Sequence, residues 1–133
     1  PDLEKRLRLR RGKAGAWGLR GPTGPSRRRP SAQEMQDITY GFKIGQAVGR
    51  LDLGQCVVVH RQVVTALEAI EGTDDAIRRG GRLAGKGAVV VKVAKPGHDM
   101  RFDIPVIGER TLKVLKKIAA SVVAVPAATT SVP

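Results

Sequence analysis

The sequence predicts one small α/β (or α+β) domain, in which three helices pack on a small mixed β-sheet, preceded by a disordered basic segment. The length of 133 residues suits a single domain. Segments with apolar residues at helical spacing alternate with short β-branched segments in the order α–β–β–α–β–α–β. Such an alternation is typical of a layered domain in which helices cover a sheet.

Charge divides the chain into unequal parts. Residues 1–30 contain ten Lys or Arg and two acidic residues, a net charge of 10 − 2 = +8. Residues 31–133 contain 14 basic and 10 acidic residues, a net charge of 14 − 10 = +4. The basic segment is also rich in Gly, Pro and Ser, so it buries too little apolar surface to offset the entropy of ordering. We therefore predict disorder over 1–30 and 126–133 and a folded domain over 31–125.

Composition excludes several classes of protein. No uncharged apolar run approaches the ~18–20 residues of a membrane span. The one cysteine, Cys56, excludes an internal disulfide framework, and it favours a reducing, cytoplasmic location. Aromatic residues make up 3% of the chain, too few to bind single-stranded nucleic acid by base stacking. Contact of residues 1–30 with nucleic-acid phosphates stays open as an alternative function.

The first three elements are predicted from capping and hydrophobic pattern. Ser31 and Glu34 fit a capping box at the start of a helix that extends to about Gly49. Within that helix, Gly41 and Gly45 weaken helix propensity but permit close approach by another backbone or a ligand. Two β-branched segments, 55–60 and 63–68, then predict a hairpin. The residues that join them, Arg61-Gln62, are poor formers of a tight primed turn.

The second half of the domain continues the alternation. Thr73 is predicted as the N-cap of a second helix, which has Asp74 and Asp75 in its first turn and ends at Gly80-Gly81. Cys56 is expected to pack as a small hydrophobic residue. The remaining predicted elements are a buried strand, a third helix and a last strand over 87–94, 109–120 and 121–125.

One candidate cluster lies at the start of the second helix. Carboxylates such as Glu71 and Asp74 can hold a hard divalent cation through oxygen ligands. Thr73, at a helix N-terminus beside Gly72, is placed to contact a phosphate. An ordinary capped helix with solvated acidic side chains explains the same spacing.

A second candidate cluster follows the buried strand. Lys92, Lys95 and Arg101 can neutralise phosphate oxygens. Asp99 and Asp103 can bind a cation or orient a water, which together suits metal-assisted phosphoryl chemistry. A surface loop with exchangeable ion pairs is the alternative.

Five motifs occur in one order between residues 31 and 125, and together they carry a family resemblance. They are residues 37–42, 51–55, 68–74, 92–96 and 99–108, the last with the sequence Asp-Met-Arg-Phe-Asp-Ile-Pro-Val-Ile-Gly. In this combination they resemble the C-terminal domain of the bacterial UDP-2,3-diacylglucosamine pyrophosphatase of lipid A biosynthesis. This is the family that replaces the calcineurin-like enzyme in many Gram-negative bacteria.

The resemblance implies hydrolysis of UDP-2,3-diacylglucosamine to UMP and lipid X, with Mg²⁺ (or Mn²⁺) as the cofactor. It implies a cytoplasmic protein, a peripheral contact with the inner membrane and a homodimer. Asp103 falls where the essential aspartate of the family is expected, and we predict it as the catalytic residue and a metal ligand. We predict Glu71 and Asp74 as further metal ligands. The predicted substrate contacts are Thr73, Lys92, Lys95 and Arg101.

The chain departs from the family pattern at both ends. Thirty Arg-, Gly- and Pro-rich residues stand where the family has an N-terminal domain, and residues 127–131 break the pattern of sheet and helix that follows the last strand. We therefore expect the chain to be the catalytic half of an enzyme, whose activity without the other half stays open.

Overall fold

The computed structural model describes residues 20–21, 24–25, 30–93 and 108–125. Residues 20–25 contribute a short antiparallel pair, β1 (Arg20–Gly21) with β2 (Gly24–Pro25). The other elements follow in the predicted order: α1 (Ala32–Arg50), β3 (Cys56–His60), β4 (Val63–Leu67), α2 (Thr73–Ala84), β5 (Val89–Lys92), α3 (Glu109–Lys117) and β6 (Val122–Ala124). These three helices and the mixed sheet confirm the predicted fold class. Of the two segments predicted as disordered, 126–133 and most of 1–30 lie outside the described residues.

Four strands form one mixed sheet in the order β4-β3-β5-β6. Strand β3 runs antiparallel to both β4 and β5, whereas β5 and β6 are parallel. As a result, β4, β5 and β6 all end at the edge of the sheet where β3 begins. We call this the carboxyl edge, and its strand-end residues are Leu67, Lys92, Ala124 and Cys56.

The helices cover the two faces of the sheet and bury a separate core on each. Helix α1 packs on β3 and β5, whereas α2 and α3 lie together on the opposite face. The α1 core contains Ile38, Phe42, Val89, Val91, Val93, Val122 and Ala124. The core on the other face contains Cys56, Val58, Ala66, Ile77, Ala88, Val90, Val114, Leu115, Val123 and Val125.

Glycines allow the helices to approach the sheet closely. A Cβ atom on Gly41 would lie 2.8 Å from Cγ2 of Val91, so α1 packs where only a glycine fits. The close approach predicted for Gly41 is thus an approach to the sheet. In α2, a Cβ atom on Gly80 would lie 2.6 Å from Cβ of Val58. The prediction that α2 ends at Gly80-Gly81 is wrong: the helix continues to Ala84, because packing outweighs weak helix propensity.

The turn between β3 and β4 is tight even though its residues are unfavourable. Arg61 and Gln62 have φ angles of 50° and 66°, the left-handed region that a primed turn requires. The buried carboxylate of Asp37, on α1, accepts hydrogen bonds from both backbone N–H groups at 3.1 and 2.8 Å and from the Gln62 side chain. The predicted hairpin is confirmed, and a helix on the sheet supplies the stabilisation that the turn sequence lacks.

Candidate active site

The carboxyl edge collects residues that are far apart in sequence. Cys56 pairs with Lys92 across β3 and β5, and Val57 pairs with Leu67 across β3 and β4. Glu68 and Lys92 therefore stand on either side of the start of β3. Directly opposed residues share a face of the sheet. Cys56 belongs to the core under α2 and α3, so its partner Lys92 lies on that same face.

A cleft of about 650 Å³ opens at this edge between the N-termini of α2 and α3. Both helices begin after a glycine N-cap, Gly72 or Gly108, and no side chain caps either one. Their first-turn N–H groups give this side of the domain a partial positive charge. The cleft is lined by Glu71, Gly72, Thr73, Asp74, Asp75, Arg78, Arg110 and Thr111.

Gly72 also gives access to the backbone in the cleft. Its φ angle of 93° lies in the left-handed region, where glycine alone is unstrained. A Cβ atom at this position would meet nothing within 4 Å, so the space beside it is open. The prediction that Thr73 is the N-cap is wrong, because Gly72 fills that position and Thr73 begins the helix.

Thr73 is held by a buried carboxylate. Its hydroxyl donates to Oε1 of Glu68 at 3.2 Å, and the backbone N–H of Gln55 donates to the same oxygen at 3.2 Å. Glu68 is 9% exposed, so its charge depends on such donors. Glu68 therefore joins the end of β4, the start of β3 and the start of α2.

Asp74 connects the two helices that form the cleft. Its Oδ1 accepts a hydrogen bond of 2.5 Å from the hydroxyl of Thr111, in the first turn of α3. The two residues are 37 positions apart in sequence. Neither Thr111 nor its neighbour Arg110 was among the predicted site residues. The one local signal for them is their position, two and three residues after the motif at 99–108.

Glu71 lies in the turn before α2, and its carboxylate contacts that turn and Arg79 of α2. Its Oε1 accepts from the Ala69 backbone N–H at 2.7 Å, and its Oε2 accepts from Nη2 of Arg79 at 3.0 Å. The Ala69 hydrogen bond, followed by the Arg79 guanidinium, holds the pKa of Glu71 below its usual value. Both oxygens of Glu71 are thus hydrogen-bonded.

Cys56 is enclosed rather than reactive. Burial raises the pKa of its thiol to about 12, and the negative charge of Glu68 adds to the increase. The positive charge of Lys92 lowers the pKa of Cys56, and the negative charge of Asp74 raises it. The charges of Glu68, Lys92 and Asp74 thus all act on the Cys56 thiol. The prediction that Cys56 packs as a hydrophobic residue is confirmed.

The structure places four of the seven predicted site residues. Thr73, Asp74 and Glu71 line the cleft, and Lys92 lies at the end of β5 on the same face of the sheet. The other three, Lys95, Arg101 and Asp103, lie outside the described residues. Their segment joins Val93, at the carboxyl edge, to Gly108, at the start of α3 beside the cleft.

The described parts of the chain lack two kinds of feature. In residues 30–93 and 108–125, no three His, Cys, Asp or Glu side chains come together as a metal site. Among the helices described, none is both long and apolar enough to cross a lipid bilayer.

The chain matches the family model described as the LpxI C-terminal domain over residues 22–132. It belongs to the LpxI C-terminal domain family. The resemblance of the five motifs is thereby confirmed. A related protein, the UDP-2,3-diacylglucosamine pyrophosphatase LpxI of Caulobacter vibrioides, is 37% identical over 91 residues. That match covers 62% of this chain and 32% of the relative, so the chain spans about a third of the length of the relative. The LpxI family match includes the segment that carries Lys95, Arg101 and Asp103.

Proposed function

We propose that this chain provides the pyrophosphate-hydrolysing half of a UDP-2,3-diacylglucosamine pyrophosphatase, which forms UMP and lipid X in lipid A biosynthesis. The match to the LpxI C-terminal domain carries the proposal, since a relative at 37% identity is named for this activity. The cleft at the carboxyl edge is the proposed site. The alternative, nucleic-acid binding through residues 1–30, gains no support from the fold or from the relatives.

The positive groups of the cleft suit a pyrophosphate. Two helix N-termini face it, and each contributes roughly 0.3–1 kcal/mol of attraction for an anion. Arg78 and Arg110 line the same space. Lys92 adds a cation from the sheet, and we propose that Lys95 and Arg101 add two more from the following segment.

Thr73 has two groups with which to contact a phosphate. Its hydroxyl donates to Glu68, whereas its backbone N–H lies in the first turn of α2 and has no intrahelical partner. We therefore assign the substrate contact to the backbone N–H. In this arrangement, Glu68 fixes the position from which that N–H donates.

Mg²⁺ is the proposed cofactor, and carboxylate oxygens are the ligands that it prefers. Asp74 lines the cleft and suits this role, together with Asp103. Glu71 joins them only if it releases Arg79 or the Ala69 N–H. When bound, Mg²⁺ neutralises charge on the phosphate oxygens.

Asp103 is the proposed catalytic residue. Its carboxylate orients the water that attacks one phosphorus, while Lys92, Lys95 and Arg101 hold the oxygens of the substrate. Attack forms a new P–O bond and breaks the anhydride P–O bond, which leaves UMP and the sugar phosphate. Each group acts by position and charge, so no covalent intermediate with the chain is required.

The experiment measures Mg²⁺-dependent binding of UDP-glucosamine to the full chain, and release of UMP from the diacylated substrate. Asp103→Ala is expected to abolish UMP release. The control is Glu34→Gln, which removes a carboxylate at the start of α1, at the opposite edge of the sheet, and keeps a side chain that can complete the capping box. A chain with the ten basic residues of 1–30 changed to Gln is expected to bind as the parent does. Equal effects of Asp103→Ala and Glu34→Gln, or loss of binding on neutralising 1–30, would contradict the proposal.

The setting of the protein is also a proposal. By analogy with the family, we propose a cytoplasmic homodimer with a peripheral contact to the inner membrane. Sedimentation velocity measures whether the chain forms a dimer. Fractionation of cells into soluble and membrane parts measures its location and its contact with the membrane.

A further inference from the structure

The turn between β4 and α2, residues 68–72, forms one wall of the cleft. Its last two residues, Glu71 and Gly72, line the cleft, and Thr73 follows as the first residue of α2. The middle of this turn is not held by packing, since Ile70 is 101% exposed. We call residues 68–72 the β4–α2 turn. Hydrogen bonds therefore have to set its conformation.

Arg79 reaches back from α2 and bridges the β4–α2 turn. Its Nη2 donates to the carbonyl oxygen of Leu67 at 2.9 Å and to Oε2 of Glu71 at 3.0 Å. One guanidinium nitrogen thus connects the last residue of β4 with the residue before the N-cap of α2. Among the described residues, Arg79 is not one of those that line the cleft. It holds the wall of the cleft from outside.

Other hydrogen bonds fix the base of the β4–α2 turn but not its outer part. Oε1 of the buried Glu68 accepts from the hydroxyl of Thr73 at 3.2 Å, which ties the turn to α2. Gly72 has a φ angle of 93° and carries no side chain that restricts its backbone. The outer residues, 69–72, therefore depend on the contacts of Glu71 with the Ala69 N–H and with Arg79.

Arg79 also compensates a negative charge beside the cleft. Glu71 lines the space proposed for a pyrophosphate, where a carboxylate without a cationic partner would repel the phosphates. The side chains of Arg79 and Glu71 are 39% and 29% exposed. Those of another ion pair in α2, Arg78 with Asp75, are 51% and 63% exposed. Solvent ions therefore screen the Arg79–Glu71 pair less.

We propose that Arg79 is a positioning residue of the cleft: it fixes the β4–α2 turn so that the backbone N–H of Thr73 meets a phosphate of the substrate. Arg79 acts through the turn and does not touch the substrate. The inference rests on the proposed function and assigns a role that the proposed substrate contacts leave open. It places Glu71 in the wall of the cleft, with Asp74 and Asp103 as the carboxylates for the metal.

The contacts of Arg79 are expected to matter more for binding than for the stability of the fold. Arg79 and Glu71 are both partly exposed, and ion pairs near the surface add little to the free energy of unfolding. The β4–α2 turn can therefore change conformation while the cores on both faces of the sheet stay packed. A purely structural role predicts that stability and binding fall together.

The experiment titrates the full chain with UDP-glucosamine in the presence of Mg²⁺. Arg79→Gln is expected to weaken binding at least about threefold and to keep the melting temperature within about 4 °C of the parent. Arg79→Lys keeps a cation that can donate to both acceptors, and it is expected to bind more tightly than Arg79→Gln. Arg82→Gln is the matched control, because it removes the same charge from the exposed last turn of α2, and it is expected to leave binding unchanged.

Amide NMR spectra of the chain without ligand separate positioning from direct contact with the substrate. In Arg79→Gln, the signals of residues 69–73 are expected to shift, and their amide hydrogens are expected to exchange faster with solvent. The signals of β3 and β5 are expected to stay as in the parent.

Each other outcome overturns a stated claim. A smaller loss of affinity in Arg79→Gln, tighter binding, or equal weakening in Arg82→Gln overturns the inference and leaves the proposed function standing. Weaker binding with unchanged signals from residues 69–73 would assign Arg79 to direct contact, and weaker binding with a larger fall in melting temperature would assign it to the fold. Either result ends the positioning role. If the parent chain does not bind UDP-glucosamine, the proposed function fails and the inference fails with it.

Discussion

Asp74 in α2 accepts a hydrogen bond from the hydroxyl of Thr111 in α3, with 2.5 Å between Oδ1 and Oγ1. The bond joins the first turns of two helices that reach the carboxyl edge from separate parts of the chain. It therefore fixes the width of the cleft between their N-termini, and it holds Asp74 in one orientation.

Removal of this bond is expected to weaken both the fold and the site. Thr111→Val keeps the shape of the side chain but leaves Asp74 without its donor, which costs about 1–2 kcal/mol of unfolding free energy. Mg²⁺-dependent binding of UDP-glucosamine is expected to weaken as well. Urea unfolding and ligand titration measure the two effects. Thr111→Ser keeps the hydroxyl and is the control, and an equal loss in both variants would refute the role of the bond.

Removal of the Glu68 carboxylate is expected to cost more unfolding free energy than loss of the hydrogen bond between Thr111 and Asp74. It is buried and accepts from Gln55 and Thr73, so Glu68→Ala leaves two donors without their acceptor. The expected loss is about 2–4 kcal/mol of unfolding free energy. Glu68→Gln retains an acceptor oxygen and should recover at least half of that loss. A change below 0.5 kcal/mol in Glu68→Ala, by urea unfolding, would show that the carboxylate is not an anchor.

Gly80 is expected to be irreplaceable in α2 even though alanine is the better helix former. A Cβ atom there would lie 2.6 Å from Val58, so Gly80→Ala forces α2 away from the sheet at a cost of about 1–3 kcal/mol. Val58→Gly removes the Cβ atom that the new methyl group would meet, so it relieves the clash. The loss of unfolding free energy in the double variant should therefore be smaller than the sum of the two single losses. A double-mutant cycle by thermal unfolding measures the coupling. Strict additivity would contradict the packing described.

Stability is expected to fall in alkali because of Cys56. Its thiol is neutral in the folded protein up to a pKa of about 12, whereas in the unfolded chain it ionises near its ordinary value of about 8.5. Between these two values the unfolded state loses a proton that the folded state keeps, so each rise in pH favours unfolding. Unfolding free energies measured from pH 8 to 10 should fall more steeply in the parent than in Cys56→Ala. Identical slopes would show that Cys56 is not the cause.

Hydrophobic period and capping predicted the elements and their order, but long-range contacts decided two details. The Arg61-Gln62 turn forms because Asp37 accepts its N–H groups, and a contact across 25 residues leaves no local signal. The extension of α2 past Gly80 depends likewise on Val58. Local pattern cannot show either partner.

The sequence predicted individual residues of the candidate site but not that they come together. Glu71, Thr73 and Asp74 were predicted by their place at a helix start, and Lys92 by its place at a strand end. Their convergence depends on the reversed direction of β3 between β4 and β5, and hydrophobic pattern does not specify strand direction. Thr111 was missed because a threonine in a first helical turn is ordinary until its partner is known. The roles of Lys95, Arg101 and Asp103 stay predictions.

The central claim is that the carboxyl edge binds the pyrophosphate of a UDP-sugar. Amide NMR spectra of the full chain, recorded with UDP-glucosamine and Mg²⁺, test it residue by residue. The predicted result is a set of saturable shifts at Gly72, Thr73, Lys92, Arg110 and Thr111, at the two helix N-termini and the end of β5. Shifts confined to residues 1–30, or to the opposite edge around Val63 and Leu83, would contradict the account.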